Sequence, residues 1–240
     1  MAKQELFLRN VLAIAICLTG MGMFSGCSKG DYVVDDIEGV VINGITWATR
    51  NVDMPGTFAE RPESAGMFYQ WGRNVGWSTT DPLFASNGST TWDNTSYNGT
   101  FWTEENCPCP KGWRVPTDQE LQKLADAGSV WTTISGITGR KFGKGRNSIF
   151  LPAVGERGNV FDDDLRDVGE VGNYWSSNTF VIPPSFGDRD GMRFIPYLLF
   201  YEKRVSEPIG KYAAMIHPAR RSYSVRCVKE SHPTPIQTLL

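Results

Sequence analysis

Two histidines, His217 and His232, are all the imidazole this 240-residue chain carries. A Ser-His-Asp triad needs a histidine beside its nucleophile, and no Gly-x-Ser-x-Gly elbow is present to supply the serine. A zinc site would want soft ligands at finger-like spacing, and neither histidine stands in such a pattern with the five cysteines. Charge of one sign is lacking as well. The 24 Lys+Arg and 26 Asp+Glu leave a formal −2, which argues against nucleic acid and against electrostatic docking on anionic lipid. No apolar run is long enough to span a bilayer comfortably, and no internal repeat stands out.

What is there begins with Lys3 and Arg9, an apolar stretch from Val11 to Phe24, and then Ser25-Gly26-Cys27. A short basic region, a short apolar core and small residues before a cleavage point predict a secretory signal over residues 1–26. A cysteine directly after Ser-Gly is similar to a bacterial lipobox, in which the Cys27 thiol is acylated and becomes the new N-terminus. Acyl chains of the palmitate kind would then make the protein a lipoprotein, anchored to a membrane with its body in water. Loss of Lys3, Arg9 and Glu5 takes the formal charge from −2 to −3. Residues 27–39 are polar and acidic and suit a tether. Acidic residues close behind a lipid cysteine lead to an expected location on the outer membrane, exposed at the cell surface.

The remaining 214 residues fit a single domain with a real core. All eight tryptophans lie there among abundant Gly, Ser, Thr and Asn, a composition that is loop-rich but folded. Val40-Val41-Ile42, Asn43-Gly44 and Ile45-Thr46-Trp47 read as two strands joined by a type I′ turn. Ser78 to Thr100 reads as a long polar loop, with Trp92 and Tyr97 inside it and Trp77 and Trp102 at its ends. A helix is predicted from Thr117, which can cap it with Glu120 completing a capping box; Leu121 and Leu124 form its inward stripe and Gly128 its stop. Short strands follow at 149–151, 174–176, 197–201, 213–216 and 222–228. In the last, Tyr223, Val225 and Cys227 share one face and Ser222, Ser224 and Arg226 the other, the period of a half-buried strand. Residues 231–240 read as a frayed tail. The expected class is α+β, with few helices, short antiparallel strands and long loops.

With Cys17 lost in the signal and Cys27 spent on lipid, Cys107, Cys109 and Cys227 remain. A Cys-x-Cys pair closed on itself would be strained, and an exported chain favours a disulfide. The residues point to one long-range bridge from the CPCP segment to the last strand, with Cys107 and Cys109 both open as the first partner.

Five blocks then define a resemblance: VINGITWATRNV at 41–52, YQWGR at 69–73, CPKGWRVPTDQEL at 109–121, VGNYWSS at 171–177 and YSVRCVKE at 223–230. In order and spacing they resemble the Fibrobacter succinogenes major paralogous domain, over about residues 40–230. That resemblance implies a C-type-lectin-like single domain, with terminal strands that meet and a variable loop region. It also implies the pairing of Cys109 with Cys227, leaving Cys107 as an extra, competing thiol. Trp47, Trp71, Trp113 and Trp175 fall inside the blocks and are expected in the core.

The same fold class houses formylglycine-generating enzymes, whose RLPTEAEW and GNVWEW blocks are similar to WRVPTDQEL and GNYWSS here. Those enzymes hold copper through a cysteine pair near the C-terminal part of the domain. This chain has Cys227 alone there, so a divergent oxidase is a remote alternative and no cofactor is expected. Asp162, Asp163 and Asp164, and the pair Asp188 and Asp190, lack the further ligands of a calcium loop. Trp92-Asp93-Asn94 has the residues of a lectin's Trp-Asn-Asp in the wrong order. Surface recognition remains: Trp77, Trp92, Tyr97 and Trp102 are the ligand-binding candidates, able to stack on a sugar or anchor a protein partner if exposed. They could equally pin the loop to the domain as its own small core. The expected function is a non-enzymatic surface binding or adhesion module for a glycan or a host protein. The alternative is a structural subunit of a surface appendage or outer-membrane complex.

Overall fold

A computed structural model of the chain describes residues 39–230, apart from residues 96, 98, 159–161, 183–191, 207–213 and 216–220. The expected signal, Cys27, the acidic tether, both histidines, Asp188, Asp190 and the tail lie outside the described residues. The described part belongs to one compact unit, Ile37–Leu240. Its elements, in chain order, are β1 (Val40–Ile42), β2 (Ile45–Trp47), β3 (Phe68–Gln70), β4 (Gly76–Trp77), β5 (Trp113–Arg114) and α1 (Asp118–Asp126). A hairpin pair with its neighbour follows as β6 (Ser129–Ile134), β7 (Ile137–Lys144) and β8 (Asn147–Pro152), then β9 (Glu156–Arg157), β10 (Leu165–Arg166) and β11 (Val171–Trp175). The chain finishes through β12 (Phe180–Ile182), β13 (Met192–Ile195), β14 (Tyr197–Tyr201), β15 (Arg204–Ser206), β16 (Ala214–Met215), β17 (Ser222–Tyr223) and β18 (Val228–Lys229). Every pairing between these strands is antiparallel. With one short helix among the described residues, the arrangement is a small β-rich α+β fold.

Local chemistry places the first hairpin and the helix. Asn43 and Gly44 both take positive φ, 48° and 80°, as a two-residue type I′ turn requires. Thr117 caps α1: its hydroxyl accepts from the Glu120 N–H while the Glu120 carboxylate accepts from the Thr117 N–H. Leu121 and Leu124 are fully buried. Beyond the C-cap Ala127, Gly128 takes a φ of 77° and turns the chain away.

The topology brings the first and last described strands into one sheet. Its order is β1-β2-β18-β5, and Val228 pairs with Trp47 on one side and Arg114 on the other. A five-stranded sheet runs β10-β9-β17-β3-β4, and three-stranded sheets are formed by β11-β14-β15, β12-β13-β16 and β6-β7-β8. Helix α1 covers Phe142, Leu151 and Phe200 with Leu121 and Leu124. A second apolar cluster surrounds Cys109 and Cys227 and contains Trp71, Trp175 and Tyr223.

The segment 222–228 corrects the expectation of a half-buried strand. It forms two short strands separated by an irregular link, and every residue from Ser222 to Val228 is buried. It runs between two neighbours that both bond its backbone: Ala48 and Val52 donate to the carbonyls of Cys227 and Val225, while Trp175 donates to that of Ser224. Its polar face is therefore interior and must find partners there. The Ser222 hydroxyl donates to the Arg157 carbonyl. The Arg226 guanidinium donates twice to Asn51 Oδ1, at 3.0 and 2.7 Å, and to the carbonyls of Ala48 and Phe150. Burial lowers the Arg226 pKa to about 10, against an opposing pull from Tyr174.

The long β6-β7 hairpin is not anticipated from the sequence. Ser135 and Gly136, with φ of 49° and 83°, form its two-residue turn.

Candidate functional site

The cysteine question resolves locally. Strand β5 pairs with β18, so the CPCP segment that precedes β5 lies beside the residue that precedes β18. Cys109 and Cys227 are disulfide-bonded across a separation of 118 residues, with their Cα atoms 6.1 Å apart. Cys107 is a free, half-buried thiol. Pro108 is buried and its carbonyl accepts from Gly56, which fixes the approach of the segment.

Beside the bridge opens a cleft of about 740 Å³, whose lining includes Trp102, Glu104, Cys107, Lys111, Trp113 and Glu230. Trp113 is half-buried: the Phe58 ring meets it edge-on at 5.5 Å, and Lys229 Nζ sits 5.8 Å from its ring centre. Glu104, Lys111 and Glu230 are exposed at this cleft. Arg114 is committed elsewhere, holding Glu120 through bonds of 2.8 and 2.7 Å. Burial alone would raise the Glu120 carboxyl, but Arg114 and the Thr117 donors outweigh it and bring the pKa below its ordinary value. The cleft thus offers a ring flanked by exposed carboxylates and an exposed ammonium, on a frame held by a disulfide and a capped helix.

Cys107 is not an activated nucleophile. Burial raises its pKa, and the nearby carboxylates of Glu230 and Glu104 add to that, against backbone N–H groups of Cys109 and Val115 that pull it down. The thiol stays protonated at neutral pH, and it is the thiolate that reacts.

The loop rings turn inward. Trp77 is 2 % exposed and packs against half-buried Trp92 with ring centres 4.7 Å apart, in a cluster with Phe68, Ala85 and Val154. Trp102 is 8 % exposed, donates its indole N–H to the Asn106 carbonyl, and packs on Trp71. Tyr97 is half-buried against Trp71 and lies so close to Gly72 that a Cβ there would fall 2.2 Å from its ring. Of the two readings left open for these rings, Trp77 and Trp102 follow the second: a long loop without regular structure buries its own rings to hold itself down. Trp113, expected in the core, lines the cleft together with Trp102 while packing against the core cluster. No spacing signal in the sequence separates it from Trp47, Trp71 and Trp175, which are fully buried.

Asp162 and Asp164 both pair with Arg166, at 2.5 and 3.4 Å, on the surface. Among the described residues no group of three or more His, Cys, Asp or Glu side chains gathers as a metal site, and no helix is long and apolar enough to cross a membrane. Comparison of the chain with family models, with curated proteins and with solved structures finds no match.

Proposed function

We propose that this chain is an exported, lipid-anchored binding module that presents the cleft beside Cys109–Cys227 to a glycan or protein partner at the outer-membrane surface. The cleft carries the reading: a half-buried Trp113 with Glu104, Lys111 and Glu230 exposed around it combines an apolar platform with polar groups that orient a ligand. A C-type-lectin-like fold of the Fibrobacter succinogenes major paralogous kind belongs to the same proposal. It is supported by the first hairpin and last strand sharing a sheet, by the capped helix after CPKGWRVP, and by the bridge between them.

The test is a glycan and matrix-protein binding screen on the purified protein, with calcium and with chelator, followed by Trp113→Ala. Binding that is lost in Trp113→Ala while the fold persists supports the cleft. Binding that survives Trp113→Ala moves the ligand elsewhere, and no binding from well-folded protein removes the reading. A second reading, a structural subunit of an appendage or outer-membrane complex, is favoured by one observation: among the described residues, the outer edge of β6 is unpaired.

A further inference from the structure

Strand β6 pairs with β7 and, among the described residues, with nothing on its other side. Its turn is two residues long, so Ile134 and Ile137 form a hydrogen-bonded pair, and by alternation so do Thr132 with Gly139 and Val130 with Lys141. The N–H and C=O groups of Ser129, Trp131 and Thr133 therefore point outward. Natural edge strands are usually blunted by lysine, proline or a bulge. This one has none of these: from Ala127 to Gly139 the chain has neither a charge nor a proline. Val130 is 68 % exposed and Ile137 42 %.

We infer that β6 is a self-association edge, taking the β6 of a second copy of this chain antiparallel across a two-fold axis through Trp131. The register follows from the pleat. Outward-pointing residues must face outward-pointing residues, and only a centre at Trp131 pairs all three of them, so Trp131 meets Trp131 of the second copy and Ser129 meets its Thr133. On the other face Val130 then lies opposite Thr132, a β-branched pair of the kind that stabilises neighbouring strands. A copy of itself suits this edge for two reasons of charge. The uncharged strands bring no like charges together. The end of the sheet where β6 starts carries Lys141, Lys144 and Arg146 against the one carboxylate of Asp126, while its far end, tied by the Thr138 hydroxyl to the Gly169 carbonyl, carries exposed Asp167 and Glu170. Antiparallel pairing sets the basic end of one copy beside the acidic end of the other. An edge this short buries less than the roughly 1,000 Å² that a stable interface clears, so the pairing is weak in dilute solution and grows with local concentration. It does not depend on the cleft.

The test traps the register covalently. On a Cys107→Ser background of the full chain, Val130→Cys and Thr132→Cys are made separately and oxidised mildly with diamide, alone and mixed. Facing Cα atoms at this non-hydrogen-bonded position lie about 4.5 Å apart, within disulfide reach. The expected result is a covalent heterodimer in the mixture, at least about five times more abundant than either homodimer, because the same residues in the two copies are offset along the strand. Equal yields in all three samples, or none, overturn the register. Independently, sedimentation of the otherwise unchanged chain at its highest soluble concentration is expected to show self-association that Val130→Lys weakens at least about tenfold. Association indifferent to Val130→Lys, or a monomer throughout, overturns the edge. Neither readout measures ligand binding, and Val130 and Thr132 lie outside the cleft lining, so failure here and failure of the binding reading are told apart.

Discussion

The segment 222–228 and strand β6 carry similar alternation in the sequence and meet opposite fates. In the first, Tyr223, Val225 and Cys227 pack one way, and Ser222, Ser224 and Arg226, on the opposite side, are buried just as fully. In β6, Trp131 reaches the core beside Phe200 while Val130 stands in solvent with the strand's outer edge open. Alternation reports which residues share a face. Whether that face is wet depends on what the rest of the chain lays over it, and among the described residues segment 222–228 lies between neighbours on both sides where β6 has one.

That contrast can be broken most sharply at the bridge. Cys109→Ser removes a crosslink that closes a loop of 118 residues, and the expected loss is roughly 4 kcal/mol in urea unfolding, with the buried segment released first in hydrogen exchange. A loss under about 1 kcal/mol would mean that packing alone holds the segment. Arg226→Met comes next. It leaves Asn51 and the carbonyls of Ala48 and Phe150 without their donor, and an expected loss of about 3 kcal/mol follows from buried acceptors left unpaired. Tolerance of methionine would make this interior polar face dispensable, and the two regions would then differ less than their burial suggests.

A smaller effect tests the helix between them. Glu120→Gln keeps the shape of the capping box but loses the ion pair with Arg114, for an expected loss of about 1 kcal/mol at neutral pH. The sign with pH is fixed. The folded pKa of Glu120 lies below its ordinary 4.5, so its contribution is complete above that value and disappears as pH falls through the folded pKa. Urea midpoints of the protein and Glu120→Gln should converge in acid; a gap that stays constant would show that the carboxylate's charge is not what matters. At the other extreme, Val130→Lys should change stability by less than about 0.5 kcal/mol, and a larger loss would show that the β6 edge is already covered.

How much of this was legible follows the same line. The Asn43-Gly44 turn and the Thr117–Glu120 box could be read because each signal is contained within a few residues, and both stand where expected. The bridge could be narrowed to the CPCP segment and Cys227 by redox reasoning, but choosing Cys109 over Cys107 needed either the family resemblance or the pairing of β5 with β18. Ser135-Gly136 between two isoleucines was a usable hairpin signal, obscured by the exposed Val130 and Ile137. The sequence offered burial or exposure for Trp77 and Trp102 without deciding between them, and the reach of Trp113 to the cleft was not legible, because each depends on residues tens of positions away. The same holds for Arg226, whose acceptors are Ala48, Asn51 and Phe150.

The sheet that joins β2, β18 and β5 also has a mechanical meaning. A tension applied between the N-terminal hairpin and a ligand seated in the cleft enters at Trp47, crosses to Val228, and leaves through Arg114 and the Cys109–Cys227 crosslink. The load path is three strands wide, and one step of it is covalent. Under the proposed function, a pull between the anchored hairpin and the cleft would meet that covalent step before it could separate β18 from β5.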